Sequence, residues 1–324
     1  MQRRRPKFTA IGCMLLFFSL SFSSIIAQQG KKIKTIIIDP GHGGSDAGAR
    51  GEYEGTLGSL EKNITLAISL KLVTELKKQL PGIKIIPSRT TDIFMNPREK
   101  AKFANDNHGD LFVCIHADAV TLKTGSRIIG YHTESYTTSR TVGKGRKKKK
   151  VVTYHTREVP THQYFKIPST RKGTSTLIFA VRKTGDKIRA MENSDVLFNA
   201  DENDSTLQIN YDSPEWKANA LLYTQNYFKR SFKLASTVQE EIASMGRPDL
   251  GVWQRDKGIW VLQATQMPAV LIETGFIANP DDEKYLNSEK GQLEISSAIA
   301  KAIIKYKEQV ENPKLVNASD VPGR

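Results

Sequence analysis

The sequence predicts an α/β fold: a single domain with a largely parallel twisted sheet, flanked by helices and interrupted by a long insertion. Three observations predict it. The unbroken run Ile36-Ile37-Ile38 is the mark of a strand buried on both faces. Strand-like and helix-like patterns alternate over residues 33–120, and the alternation resumes over 215–312.

The elements follow in order. Lys34 to Asp39 is the first strand. Glu61 to Leu80 carries Ile64, Ala67, Ile68, Leu72, Val73, Leu76 and Leu80 at helical spacing, and Pro81-Gly82 ends it. Ile83 to Ile86 is the second strand. Asn96-Pro97-Arg98-Glu99 is a helix start, with Asn as cap, Pro at the first position and Glu at the third; this helix runs to about Asn105. Leu111 to Ile115 is the third strand. A long helix spans about Pro214 to Met245 and stops at Gly246; Ile259 to Leu262 and Ala269 to Ile272 are strand-like; Asp281 to Lys307 is mainly helical. Residues 131–213 break the pattern, being crowded with Lys, Thr and Asp. Within them Thr176 to Val181 reads as a strand and Asp186 to Phe198 as a helix. The stretch is expected to be an insertion between two halves of one domain spanning 32–312. The polar end, 313–324, is expected to fray.

The first 27 residues stand apart. Arg3, Arg4, Arg5 and Lys7 form a basic head, an apolar run follows from Ile11 to Ile26, and Ala27 precedes Gln28. This is the plan of a cleaved secretory signal. The run is broken by serines and is short for a membrane span of ~20 apolar residues. The chain is therefore expected to cross the inner membrane and work in the periplasm or envelope, with no span left after cleavage. Cys114 is then the one cysteine that remains. It lies in the apolar run Leu111 to Ile115, so it reads as a core residue and not as half of a disulfide or as a catalytic thiol.

Net charge is +14, and cleavage of the head leaves +10. Export argues against nucleic acid as the partner; anionic envelope polymers or membrane surfaces fit the charge better. Much of the excess lies in Lys144 to Lys150, which reads as a solvated loop.

The residues that carry chemistry sit just past the predicted strand ends. Asp39-Pro40-Gly41-His42-Gly43-Gly44 follows the first strand, His116-Ala117-Asp118 the third and Glu273-Thr274-Gly275 the last. Ligands of α/β sheets bind beyond the carboxyl ends of strands. Two His and a carboxylate are a normal ligand set for catalytic zinc. Such a site also needs a second carboxylate to move the proton. His42, Glu61 and His116 are the expected ligands of one Zn2+ and Glu273 the expected acid/base. Glu52 and Glu54 are rivals to Glu61, which is favoured because the amphipathic helix follows it. Spacing alone leaves a first-turn or surface role open for each glutamate.

The strings themselves go further. Ile36-Ile37-Ile38-Asp39-Pro40-Gly41-His42-Gly43-Gly44 resembles the opening motif of the family-3 N-acetylmuramoyl-L-alanine amidases. Ser59-Leu60-Glu61-Lys62-Asn63 resembles that family's Glu-Lys segment, whose Glu is a zinc ligand. Ser88-Arg89-Thr90-Thr91-Asp92 also fits. Asp110 to Asp118 resembles the second histidine motif, and Met267 to Asn279 the strand with the catalytic glutamate. The resemblance covers about 33–130 and 215–310. It implies a zinc amidase acting on peptidoglycan, cutting between N-acetylmuramic acid and L-alanine in wall remodelling or daughter-cell separation. It further implies that the insertion can mask the site through Glu192, in Glu192-Asn193-Ser194, until an activator protein moves it. The rival readings are an inactive wall-binding module of the same fold, and a zinc carboxypeptidase or endopeptidase that cuts elsewhere in the stem.

Overall fold

The computed structural model describes residues 32–192, 210–255 and 257–313. The signal expected at 1–27, the Asn193-Ser194 pair and the tail beyond 313 lie outside them.

Alternation of side chains along buried strands decides the layering. Strand β1 (Thr35–Pro40) is buried along its whole length. Its Ile36 and Ile38 point to one face and Ile37 to the other. The same split holds in β3 (Leu111–Asp118), where Val113 and Ile115 join the first face and Phe112 and Cys114 the second. It holds again in β8 (Ala269–Phe276), with Val270 and Ile272 against Leu271. Helices cover both faces. The first meets α1 (Glu61–Gln79), α4 (Pro214–Ser244) and α6 (Glu289–Glu311) through Ile64, Leu72, Leu234, Val238, Ile299 and Ile303. The second meets α2 (Pro97–Asp106) and α5 (Trp260–Ala264) through Ala101, Ala104 and Leu262.

The sheet adds β2 (Lys84–Pro87), β6 (Thr174–Phe179) and β7 (Asp249–Arg255) in the order β2-β1-β3-β8-β6-β7. All its pairings are parallel except β6 with β8, so the sheet is largely parallel. The parallel register sets β1, β3 and β8 side by side and pointing the same way. Helix α2 starts as its sequence requires: the Asn96 side chain accepts from Arg98 N and Glu99 N, and Glu99 accepts from Asn96 N.

Two sequence expectations change, and one strand goes unforeseen. Ile259 to Leu262 is not a strand; Trp260–Ala264 is a short helix, because a buried apolar run of this length carries no periodicity that separates the two. β7 shows no apolar alternation because it is an edge strand with Trp253 in solvent. Residues 131–213 are not one insertion. Thr174–Phe179 lies wholly buried in the central sheet, and the segment that leaves the domain is a two-stranded ribbon, β4 (Thr124–Val142) with β5 (Lys149–Lys166). The ribbon has no buried face, so it lacks the apolar pattern by which strands are recognised.

Helix α3 (Thr184–Glu192) is tied to the core by a buried lysine. Lys187 Nζ donates to the carbonyls of Leu262, at 3.0 Å, and Thr265, at 2.5 Å, where α5 ends and leaves acceptors unpaired. Burial pushes this ammonium down to about 7. The unfolded chain then holds a proton that the folded chain lacks, so stability should rise with pH from about 7 towards the ordinary lysine range. Chemical denaturation at pH 7, 8 and 9 should show that rise in the native chain, and Lys187→Met should flatten it.

Candidate metal centre

The centre forms where β1 and β3 end. Gly41 N donates to Ile115 O at 2.9 Å, which carries the chain out of β1 beside β3. The next turn is held from below by Arg89, which is almost wholly buried. Its guanidinium donates to the carbonyls of Pro40, Gly41 and Lys62 at 3.2, 2.9 and 3.0 Å. Thr65 Oγ1 adds a bond to Gly41 O at 2.7 Å. From outside, Asp92 accepts from Gly44 N and from Lys62 Nζ. So braced, His42 keeps a left-handed φ of 59°, a conformation that costs a non-glycine residue roughly 1–3 kcal/mol and persists only where the surroundings impose it.

Glu61 opens α1 beneath this turn and is 4% exposed. Its two oxygens divide the work. Oε1 accepts from Ala117 N at 3.0 Å and faces His116 Nδ1 at 2.8 Å. Oε2 accepts from Ala49 N at 2.7 Å and faces His42 Nε2 at 3.0 Å. Burial pushes the Glu61 carboxyl up, but the bonds from His116 and His42 outweigh it and hold the group well below the usual carboxylate range. His42 is lowered by burial and raised more by Glu61 and Asp46, with a net upward shift. Asp46 Oδ2 lies 2.8 Å from His42 Nδ1 and fixes the ring so that Nε2 faces inward.

The structure thus brings His42, Glu61 and His116 together, one ligand atom from each lying within 4.8 Å of the others. It is the one such group among the described residues. Glu52 and Glu54 lie elsewhere: Glu52 lines a neighbouring cleft and Glu54 pairs with Arg127 at 2.9 Å. The long segment before Glu61 is fastened by buried Glu283, which accepts from Tyr53 Oη, Thr56 Oγ1, Leu57 N and Ser59 N. That cleft, about 300 Å³, opens beside Gly48 and Ala49 and is also lined by Arg50, Thr121 and Lys166.

Glu273 stands in register with His116 on the neighbouring strand. The strands are linked at this level by Thr274 Oγ1, which donates to His116 O at 2.8 Å. Glu273 is 6% exposed and its Oε2 has no hydrogen-bond partner; Oε1 is 3.7 Å from Arg255 Nη1. Burial first, then the charges of Asp118 and Glu61, push its carboxyl well above the usual range. A buried carboxyl poised to hold a proton therefore sits beside a pair of imidazoles and a carboxylate that can hold a divalent cation.

Glu192 is not brought to this cluster. Its helix packs through Met191 on Trp216 and Ala220, in the first turns of α4, and through Lys187 on the end of α5. Those contacts lie towards the start of β8, since Ser231 of α4 meets Ala269 N, and Trp216 is roughly 22 Å of helix ahead of Ser231. The cluster gathers where β8 ends. His132 and His155, on the ribbon, bond to Thr161 and Thr138 instead of to a metal group, and His162 stacks on Tyr164. Cys114 is a buried thiol that donates to Asp39 Oδ2, and burial raises it. Sequence reasoning missed Asp46, Arg89 and Glu283 as supports. For Asp46 a signal existed, a carboxylate four residues after His42 in a glycine-rich turn.

A family model described as N-acetylmuramoyl-L-alanine amidase matches residues 36–305. The chain is 26% identical over 300 residues to the amidase AmiA of Escherichia coli K12, covering 93% of this chain and 85% of that one. It is 26% identical over 273 residues to AmiC of Escherichia coli O6:H1, covering 84% of this chain but only 52%, about half, of that longer protein. Among solved structures, an N-acetylmuramoyl-L-alanine amidase from Clostridium difficile 630 superposes with a TM-score of 0.52 at 24% identity, covering 85% of this chain and 97% of that one, which shows a shared fold.

Gly48 gives a direct test of the geometry. Its φ is +65°, and a Cβ there would lie 2.5 Å from Glu61 Oε2 and 2.6 Å from His42 Cδ2. Gly48→Ala should destabilise the fold by about 1–3 kcal/mol in thermal denaturation and weaken cobalt binding followed by its visible absorption.

Proposed function

Because the chain belongs to the N-acetylmuramoyl-L-alanine amidase family, we propose that it is an exported, zinc-dependent hydrolase of the amide between N-acetylmuramic acid and L-alanine in peptidoglycan. His42, Glu61 and His116 would hold one Zn2+. The donor set fits: two imidazole nitrogens face one carboxylate at 3.0 and 2.8 Å, and each carboxylate oxygen is fixed by a backbone N–H. A bound Zn2+ would polarise the scissile carbonyl and lower the pKa of a water.

The remaining work falls to the chain itself. Asp46 orients His42, and the N–H groups of Ala49 and Ala117 orient Glu61. Glu273 takes the proton of the attacking water and delivers it to the L-alanine nitrogen as the carbon–nitrogen bond breaks. The observation that carries this reading is the buried, unpartnered Oε2 of Glu273 on the strand next to His116. The cleft past Gly48 would receive part of the substrate. The helix that carries Glu192 packs towards the start of β8, and the rest of the segment expected to mask the site, 193–209, lies outside the described residues. Export and an envelope location rest on the basic head and short apolar run at 1–27. No helix among the described residues is long and apolar enough to cross a membrane.

Residues 28–324 loaded with zinc should release stem peptides that begin with L-alanine from purified peptidoglycan, read by mass spectrometry. Glu273→Ala should lower the rate by about 10²–10⁴ while still binding the metal. Chelation should abolish release and added zinc restore it. Fragments cut inside the stem would replace the amidase assignment with a peptidase.

A further inference from the structure

Apart from Lys166 at its root, which lines the cleft, the ribbon serves no part of the site just described, yet it is a long ordered element. From Thr124 paired with Lys166 to Val142 paired with Lys149, it forms a continuous antiparallel ladder with a single bulge between Ile128 and Gly130. At its root, Arg127 pairs with Glu54 at 2.9 Å, and Ile167 N donates to Lys123 O at 2.9 Å. Every residue from Tyr131 to Tyr154 is exposed. At a strand rise of about 3.3 Å per residue, the tip stands roughly 60 Å from the root.

The chemistry of the tip is one-sided. Arg140, Lys144, Arg146 and the lysines at 147–150 crowd it, and no Asp or Glu occurs between 135 and 157. The nearest acid, Glu134, is paired with Arg157. None of the tip cations is in an ion pair among the described residues. Apolar side chains are interleaved with them: Val142 lies opposite Lys149 and Val151 opposite Arg140, and next along the ladder Val152 and Tyr154 are exposed, Tyr154 at 81%. A merely solvated arm has no use for these.

We propose that the ribbon tip docks on an anionic phospholipid bilayer. The lysines and arginines meet headgroup phosphates, and a cluster of about four to eight such residues suffices for that attraction. The valines and Tyr154 enter the interface, where an amphipathic ring is favoured. These apolar groups select a bilayer over a soluble polyanion, which would engage the cations alone. Docked by its tip, the chain holds its cleft roughly 60 Å from the membrane surface, a distance set by the strand rise. The inference does not depend on the amidase assignment.

The test is sedimentation of residues 28–324 with phosphatidylcholine vesicles, with and without phosphatidylglycerol, beside binding to soluble polyphosphate. Two variants accompany it: the four substitutions Lys147→Gln, Lys148→Gln, Lys149→Gln and Lys150→Gln together, and the pair Val152→Ser with Tyr154→Ser. Thermal midpoints confirm that both fold. Binding to anionic vesicles should exceed binding to neutral ones by about ten-fold or more, and the four-lysine variant should lose it. The Val152/Tyr154 variant should bind vesicles about three-fold more weakly while its polyphosphate binding stays unchanged. Absence of vesicle binding overturns the proposal. So does vesicle binding that the Val152/Tyr154 variant leaves intact, which would make the tip a general polyanion site.

Discussion

The Glu61 carboxylate is the interaction on which the rest of the site depends. One buried group accepts from the backbone of a loop, at Ala49, and of β3, at Ala117, and faces two imidazoles. It therefore fixes the start of α1, the turn after β1 and the end of β3 relative to one another. A buried carboxylate is tolerated only when its acceptors are used, and here each oxygen meets one backbone N–H and one histidine. Three elements distant in sequence are held in one place by a charge that none of them could bury alone.

Around that carboxylate the structure spends much polar chemistry on holding one turn. Arg89, Thr65 and Asp92 converge on residues 40–44, and Lys100 pairs with Asp39 just below. Buried networks of this kind are rigid when fully satisfied. Glu273 is the exception, with one oxygen left without a partner. The contrast divides groups whose bonds hold geometry from a carboxyl with one oxygen left unbonded.

The sheet was legible in the sequence because its strands are buried on both faces and so read as apolar runs, as at Ile36 to Ile38 and Val270 to Ile272. Helices α1 and α2 were legible through periodicity and the Asn96 cap. The strand-end residues His42, His116 and Glu273 were legible because parallel strands end on one side. What escaped was whatever tertiary context decides. Residues 260–264 form a helix although the run is too short to show a period. Thr174–Phe179 joins the sheet from a stretch whose polar flanks suggested an insertion. The supporting roles of Arg89 and Glu283 depend on contacts across 48 and 227 positions of sequence, which no local pattern carries.

The ribbon also has a colloidal consequence. A two-stranded ladder leaves a row of unpaired N–H and C=O groups along each outer edge, and such edges recruit other strands. The composition opposes this: Thr and Ser recur along β4, Pro160 interrupts β5, the bulge at Ile129 twists the edge, and like charge gathers at the tip. Two copies approaching edge to edge would bring their lysine clusters together. The same cations thus oppose strand-by-strand polymerisation through that open edge.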